Sequence, residues 1–275
     1  MYKFTVIGDP ISHSLSPLIH QQFAKQTGVF VEYEKRLVKN ERIHFFCDDF
    51  AREGGHGFNV TLPHKETIVA YLDTISERAQ DAGAVNVVKR VGSAWHGDNV
   101  DGLGFIQDVK KKGHHLEDSS VIVLGAGGAA KGVIHALKNH RIGRLVIANR
   151  TLAKAENLAN VLRESHRELS VKAVALEQLD TVDSPDWVIS GLSESPSTTL
   201  LETIHWKDKT KVYDLNYGSR SQALIDWCRR HHQPVYDGLG MLIEQAAASF
   251  ELWTGKVPQT SGLDWKKLLG VETPY

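Results

Sequence analysis

The chain has 275 residues, of which 41% are hydrophobic, and its Lys+Arg 32 against Asp+Glu 33 leaves a formal net charge of -1. That length suits two α/β domains with a ligand cleft between them, and the balanced charge supplies no field to draw nucleic acid or an anionic membrane, so small molecules are the expected partners. Cys47 and Cys228 belong to no C-x-x-C, which excludes a disulfide scaffold or zinc ribbon and reads as two core or near-surface thiols in a reducing compartment.

In chain order, Tyr2 to Gly8 is a short apolar run that reads as a strand, too short for the apolar region of a signal peptide. No stretch approaches a membrane span, so a cytoplasmic location is expected. Ser16-Pro17 starts a helix that Gly28 closes. Phe30 to Val38 alternates like a strand, Glu41 to Glu53 has helical periodicity ended by Gly54-Gly55, and Gly57 to Leu62 is extended before Pro63, with Lys65 at the opening of a further helix. Gly83 to Lys89 and Trp95 to Asp98 read as strands, followed by a helix from about Gly102 to Lys112. This alternation predicts a mostly parallel sheet.

The polar stretch Lys110 to Ser120 marks a boundary, after which strands are predicted at Val121 to Leu124, Arg144 to Asn149, Val171 to Ala175, Asp186 to Ser190 and Lys211 to Tyr217, with a helix at Leu152 to Arg163. These form a second, doubly wound unit. After Asp237-Gly238 a long apolar helix, Met241 to Trp253, is capped by Gly255 and is expected to return to the first lobe. The histidine pairs His114/His115 and His231/His232 are adjacent rather than at i,i+4, so solvated loops and no metal site are expected.

Val121-Ile122-Val123-Leu124 runs straight into Gly125-Ala126-Gly127-Gly128-Ala129-Ala130. A buried strand, glycine turn and helix in that order place free amides at a pyrophosphate: Gly125 permits the turn, Gly127 lets phosphate approach the backbone, and Ala130 takes the close-packing position. A glycine turn without ligand is the plain alternative. At the end of the next strand stand Asn149-Arg150-Thr151 and then Lys154, with no acid to repel a 2′-phosphate, so NADP(H) is favoured over NAD. A solvated Arg150 at a helix start is the alternative there.

Three polar clusters occupy the first lobe. Ser14 and Ser16 place two hydroxyls just before a helix, where they can join free amides in holding a carboxylate, or serve as loop serine and N-cap. Asn59 and Thr61 share one strand face ahead of Pro63 and Lys65, and a lysine at a helix opening is electrostatically unusual because that end is positive. Asn99-Val100-Asp101-Gly102 puts a carboxylate at a strand-to-helix junction, where an N-cap is the plain reading. Gln245 lies in so apolar a helix that its amide needs a partner, from a ligand, the helix or a water.

Taken together, Ser14-Leu15-Ser16-Pro17, Asn59 to Lys65, Gly83-Ala84-Val85-Asn86, Asn99 to Gly102, the Gly125 turn, Asn149-Arg150-Thr151 and Asp237 to Leu242 with Gln245-Ala246-Ala247 resemble the shikimate dehydrogenase family over nearly the whole chain. The resemblance implies a two-domain α/β fold: residues 1–101 as a substrate-binding and catalytic domain, 102–236 as a Rossmann-like NADP-binding domain, and 237–275 as C-terminal helices packing on the first. It implies reduction of 3-dehydroshikimate to shikimate by NADPH, in a monomer or homodimer, with Lys65 as general acid-base oriented by Asp101. It further implies a substrate set of Ser14, Ser16, Asn59, Thr61, Lys65, Asn86, Asp101, Tyr217 and Gln245. The implied cofactor set is Gly125, Ala126, Gly127, Gly128, Ala129, Asn149, Arg150, Thr151, Lys154 and Gly238.

Four places depart from the family pattern. Val87 and Val100 stand where Thr is usual, Ser190-Gly191-Leu192-Ser193 replaces Asn-Ala-Thr-Ser, and Tyr217 is followed by Gly218 rather than by a Tyr-x-Pro pattern. The two valines remove hydroxyls and bear on affinity more than on chemistry. A quinate or broad shikimate/quinate dehydrogenase is a related reading, against which Ser14 with Ser16, Arg150 and Lys154 weigh. A catalytically silent NADPH-binding regulator is a reading of another class, against which Lys65 and Asp101 weigh.

Overall fold

A computed structural model of the chain describes residues 1–271, so the last four residues of the expected C-terminal segment lie outside the described residues. The described residues divide into two units, Met1–Phe105 together with 242–271, and Ile106–Met241.

The first unit begins with β1 (Tyr2–Gly8), α1 (Ser16–Thr27), β2 (Val31–Leu37), α2 (Ile43–Arg52) and β3 (Gly57–Val60). Pro17 opens α1, where its missing N–H costs nothing, and Gly28 closes it at φ 68, a left-handed conformation that glycine adopts without strain. There follow β4 (Thr74–Ile75), α3 (Glu77–Ala82), β5 (Val87–Val91), β6 (Ala94–Asp98) and α4 (Asp101–Lys111). The sheet order is β2-β1-β3-β5-β6-β4. β1 pairs parallel with β2 and β3, and β4 with β6, whereas β5 is antiparallel to both neighbours, so the sheet is mixed.

Two local expectations are corrected here. The extended stretch from Gly83 begins only at Val87, because Gly83 at φ 57 is the C-cap of α3, a helix whose N-cap Ser76 accepts a hydrogen bond from the Ala79 amide. No α-helix opens at Lys65 either: residues 62–66 form turns that lead into the short 3-10 segment Thr67–Tyr71. The expected conflict between the lysine and a helix field therefore does not arise.

The second unit contains β7 (Ser120–Leu124), α5 (Gly128–Leu137), β8 (Arg144–Asn149), α6 (Leu152–Ser165), β9 (Ser170–Ala175), β10 (Trp187–Ser190), α7 (Thr198–Glu202), β11 (Lys211–Asp214), α8 (Gln222–Arg230) and β12 (Val235–Tyr236). All its strands are parallel in the order β12-β11-β10-β7-β8-β9, which puts the topological switch between β7 and β10. Parallel sheets are covered on both faces, so Val121, Ile122, Val123 and Leu124 are all buried. Sequence reading assigns no element to α8, although its Leu224, Ile225, Trp227 and Cys228 are buried at helical spacing. The expected strand to Tyr217 stops at Asp214, because the Asp214 carboxylate accepts from both the backbone and side-chain amides of Asn216 at 3.0 Å and turns the chain.

The long helix α9 (Leu239–Thr254) is followed by Gly255 at φ 69, and a short helix, α10 (Trp265–Leu269), comes after it. Within the first unit Trp253 stacks on Phe4 at 4.3 Å and donates to the Val88 carbonyl at 2.9 Å. A Cβ on Gly57 would lie 2.5 Å from that indole, so glycine is what lets the ring reach the sheet. Phe4, Val87, Val100 and Trp253 form one buried cluster, so the two valines that depart from the family pattern pack into the same apolar patch.

Both cysteines are buried. Of the histidine pairs, His114 is no solvated loop residue: it is half-buried and hydrogen-bonded to the Tyr236 hydroxyl at 2.6 Å. Among the described residues no helix is long and apolar enough to cross a membrane, and no group of three or more His, Cys, Asp or Glu could hold a metal ion.

Candidate active site

The polar residues of the first unit meet at the ends of β3, β5 and β6, where short loops bring three sequence-distant segments together. The Lys65 backbone carbonyl accepts from the Val85 amide at 2.7 Å, which ties the turn after β3 to the segment before β5. The Lys65 ammonium donates to Oδ2 of Asp101 at 2.5 Å, and the two side chains are only 12% and 2% exposed. Asp101 is the first residue of α4, but its carboxylate faces side chains: Oδ1 accepts from Asn86 Nδ2 at 2.8 Å. The plain N-cap reading of Asp101 thus gives way to a buried ion pair with a second donor.

Asn86 is the hub. Its Nδ2 also donates to Gln245 Oε1 at 2.8 Å, and its Oδ1 accepts from the Val100 amide at 2.8 Å. Asn99 steadies the same junction, donating to the Ala84 carbonyl at 2.9 Å and accepting from the Asp101 amide at 3.1 Å. Gln245 therefore has a side chain as its partner. Asn59 donates to the Asn86 carbonyl at 3.1 Å and to Ser249 Oγ at 3.0 Å.

Ser14 and Ser16 are joined by a hydroxyl contact of 3.2 Å, and the Ser16 amide donates to Ser14 Oγ at 3.3 Å. The N-cap of α1 is Leu15, with no side-chain cap, so Ser16 is not the N-cap that sequence allows. Asn59, Lys65, Asn86, Asp101 and Gln245 thus form one hydrogen-bonded network in the first unit, and Ser14 with Ser16 a separate bonded pair in the same unit. Thr61 stands beside it, half-buried, its methyl packed against Gly8 and its hydroxyl in no side-chain hydrogen bond among the described residues.

Sequence reasoning missed Tyr33, which is hydrogen-bonded to Asn59. Its hydroxyl donates to Asn59 Oδ1 at 2.7 Å, and burial pushes the phenol well above its ordinary pKa, with Ser16 a weaker opposing influence. His20 stacks on the Tyr33 ring at 4.3 Å, and burial lowers it to about 3, with Asn59 a weaker opposing influence. The available signal was the i,i+4 spacing of Ser16 and His20, which puts both on one face of α1.

In the second unit Gly125 takes φ 104, and a Cβ there would lie 3.0 Å from the Gly191 carbonyl oxygen. Gly127 is the N-cap of α5 without a side-chain cap, and a Cβ on it would meet nothing within 4 Å, which leaves open space for an approaching phosphate. The first amides of α5, from Gly128 and Ala129 onward, have no intrahelical acceptors. Ala126 and Ala130 are buried, and a Cβ on Gly191 would come within 2.8 Å of the Ala130 methyl, so small residues are required on both sides of that contact.

At the end of β8, Asn149 donates to the Thr151 carbonyl at 2.9 Å and shapes the turn. Arg150, Thr151 and Lys154 are exposed, and Arg150 and Lys154 form no ion pair among the described residues. Two free cations beside a glycine turn whose helix amides are open fit a dinucleotide bearing a 2′-phosphate. Gly238 has a backbone reason to be glycine: a Cβ would lie 2.4 Å from the Leu215 carbonyl oxygen. Tyr217 is half-buried in the loop beyond β11, just before Gly218 at φ 64. In the same loop Asn216 donates to the Leu192 carbonyl at 2.9 Å, and burial pushes the Asp214 carboxyl up to about 7.

Comparison with known proteins matches residues 6–88 to a shikimate dehydrogenase substrate binding domain, 107–211 to a shikimate / quinate 5-dehydrogenase and 238–262 to a shikimate 5'-dehydrogenase C-terminal domain. A shikimate dehydrogenase (NADP(+)) from Herminiimonas arsenicoxydans is 41% identical over 268 residues, 95% of each chain. One from Xylella fastidiosa (strain M12) is 39% identical over 264 residues, 94% of this chain and 93% of that protein. Among solved structures, shikimate 5-dehydrogenase from Thermus thermophilus in complex with NADP(H) and shikimate has a TM-score of 0.83 at 30% identity, covering 98% of this chain and 99% of that one.

Proposed function

The chain belongs to the shikimate dehydrogenase family, and from that premise we propose that it interconverts 3-dehydroshikimate and shikimate with NADP(H), Lys65 serving as general acid-base and Asp101 as its orienting partner. The observation that carries this reading is the Lys65–Asp101 pair, held at 2.5 Å and almost closed to water. When bound, NADP(H) supplies a hydride in one direction and accepts one in the other. In this assignment residues 1–101, with the returning helices of 237–275, provide the substrate side, and 102–236 the cofactor side.

During reduction the Lys65 ammonium donates its proton to the carbonyl oxygen as negative charge develops there, and during oxidation the amine accepts the hydroxyl proton. Asp101 does not give up a proton. Its two oxygens hold Lys65 and Asn86, and the carboxylate stabilises the ammonium between turnovers. The 12% exposure of Lys65 leaves a route for its reprotonation from water.

Ser14 and Ser16 are assigned to the substrate carboxylate, where hydroxyl donors suit an anion without adding a full charge. Asn86, Thr61 and Gln245 are assigned to the ring hydroxyls. The glycine turn at Gly125 to Gly128 takes the pyrophosphate, and Arg150 with Lys154 the 2′-phosphate.

The test is spectrophotometric: oxidation of shikimate and of quinate, each with NADP and with NAD. Rapid turnover of shikimate with NADP is expected, with kcat/KM lower for the other three pairings. Binding of NADPH without turnover of either acid would overturn the reading.

A further inference from the structure

We infer that Ser249 is a positioning residue for the substrate site, its hydroxyl tying α9 to β3 so that the Gln245 amide keeps the place and direction a ring hydroxyl needs. This rests on the assignment of Gln245 to the ring hydroxyls. Ser249 is fully buried one turn beyond Gln245 on the same face of α9, and Asn59 reaches it from β3.

The hydrogen bonds around Gln245 form a closed circuit in which each direction is fixed. The Val100 amide can only donate, so Asn86 presents Oδ1 to it at 2.8 Å and turns Nδ2 toward Asp101 and Gln245. Gln245 must then offer Oε1 to Asn86, which leaves its Nε2, in no hydrogen bond among the described residues, as a donor for a ligand hydroxyl. From the other end, the Ser249 hydroxyl gives its hydrogen to the Gln245 carbonyl at 2.9 Å, so it can only accept from Asn59 Nδ2 at 3.0 Å. The second Nδ2 hydrogen of Asn59 goes to the Asn86 carbonyl at 3.1 Å, which returns the circuit to the residue that holds Gln245.

The helix is pinned to the first sheet at successive turns. Near its C-terminal end Lys89 donates to the Leu252 carbonyl at 2.7 Å and Trp253 to the Val88 carbonyl at 2.9 Å. One turn earlier Ser249 holds Asn59, and one turn earlier again Gln245 meets Asn86. Without the Ser249 hydroxyl the pins at Leu252 and Trp253 keep the helix docked, but a buried Asn59 hydrogen loses its acceptor and the amide no longer has a single orientation. Gln245 then keeps only its side-chain contact with Asn86, and its Nε2 loses its fixed direction. Asn86 itself stays bonded to Val100 and Asp101, so the Lys65–Asp101 pair is left in place. The loss should therefore fall on substrate affinity and not on the chemical step.

The experiment compares Ser249→Ala with the parent, and Ser249→Val with Ser249→Thr, a pair of like volume of which only Thr can bond the carbonyl one turn back. Each is read as kcat and KM for shikimate and for NADP, with the thermal midpoint measured alongside, and Ser249→Ala is repeated in a Gln245→Ala background. Ser249→Ala against the parent, and Ser249→Val against Ser249→Thr, are expected to raise KM for shikimate about three- to tenfold while kcat and KM for NADP change less than about twofold. In the Gln245→Ala background Ser249→Ala is expected to alter kcat/KM by less than about twofold. Where the larger side chains do not fit, the Ser249→Ala arm decides alone. An unchanged KM for shikimate, a penalty that persists undiminished without Gln245, one that falls on kcat and the NADP KM alike, or a Ser249→Ala chain that does not fold overturns the inference while leaving the proposed function intact. Failure of the unaltered chain to oxidise shikimate overturns the proposed function first, and this inference with it.

Discussion

Lys65 donates at 2.5 Å to one oxygen of Asp101, whose other oxygen is already taken by Asn86 at 2.8 Å, so the ammonium rests on a carboxylate that cannot turn away. Lys65→Met removes the proton donor while keeping most of the side-chain volume. It should lower kcat about 10²- to 10⁴-fold, with KM for shikimate changing only a few-fold. Single-turnover mixing of enzyme, NADPH and 3-dehydroshikimate checks it, and unchanged kcat would remove Lys65 from the chemistry.

Asp101→Asn is expected to do more damage than loss of one charge implies. Both carboxylate oxygens accept hydrogen bonds, but an amide has one acceptor and one donor side. Whichever way the asparagine turns, its NH2 meets either the Lys65 ammonium or the Asn86 NH2. Breaking a buried pair in this way costs about 3 kcal/mol or more, to be read as a lowered midpoint in urea. A variant as stable as the parent would show that the pair is not closed to solvent.

The strand, glycine turn and helix from Val121 to Leu137 were legible because the signal is local: a two-faced buried strand reads as a continuous apolar run, and Gly125 is needed where φ is 104. Lys65 and Asp101 were legible as unusual residues, but nothing in the spacing of residues 36 apart dictates that they meet. Tyr33 was hidden because Val31–Leu37 alternates as an ordinary half-exposed strand, and its partner Asn59 lies 26 residues away in sequence. Asp214 was hidden in the same way, since a strand to Tyr217 satisfies the apolar pattern unless the hydrogen bonds to Asn216 are known.

Arg150 and Lys154 are exposed and without ion-pair partners among the described residues, so their charge is available to a phosphate. Arg150→Ala should raise KM for NADP about tenfold and leave KM for NAD within about twofold, because only the former carries a 2′-phosphate. The difference should shrink between low and high salt, as exposed charges are screened. An equal rise for both nucleotides would assign Arg150 to the adenine or pyrophosphate instead.

Asp214 makes folding stability depend on pH in an unusual direction for a carboxylate. Burial, with Asp237 adding to it and the Asn216 amides opposing, pushes its pKa from 3.8 up to about 7. Its Oδ2 has no hydrogen-bond partner among the described residues, so ionisation there is uncompensated. Between those two values the folded state holds a proton that the unfolded chain releases. The contribution is therefore fully present below the unfolded pKa and is lost as pH rises through about 7, each pH step of one across that window removing roughly 1.4 kcal/mol. Asp214→Asn keeps an acceptor for Asn216 but cannot ionise. The melting temperature of the variant relative to the parent should rise from pH 5 to pH 8, and parallel curves over that range would mean that Asp214 titrates alike in the folded and unfolded chain.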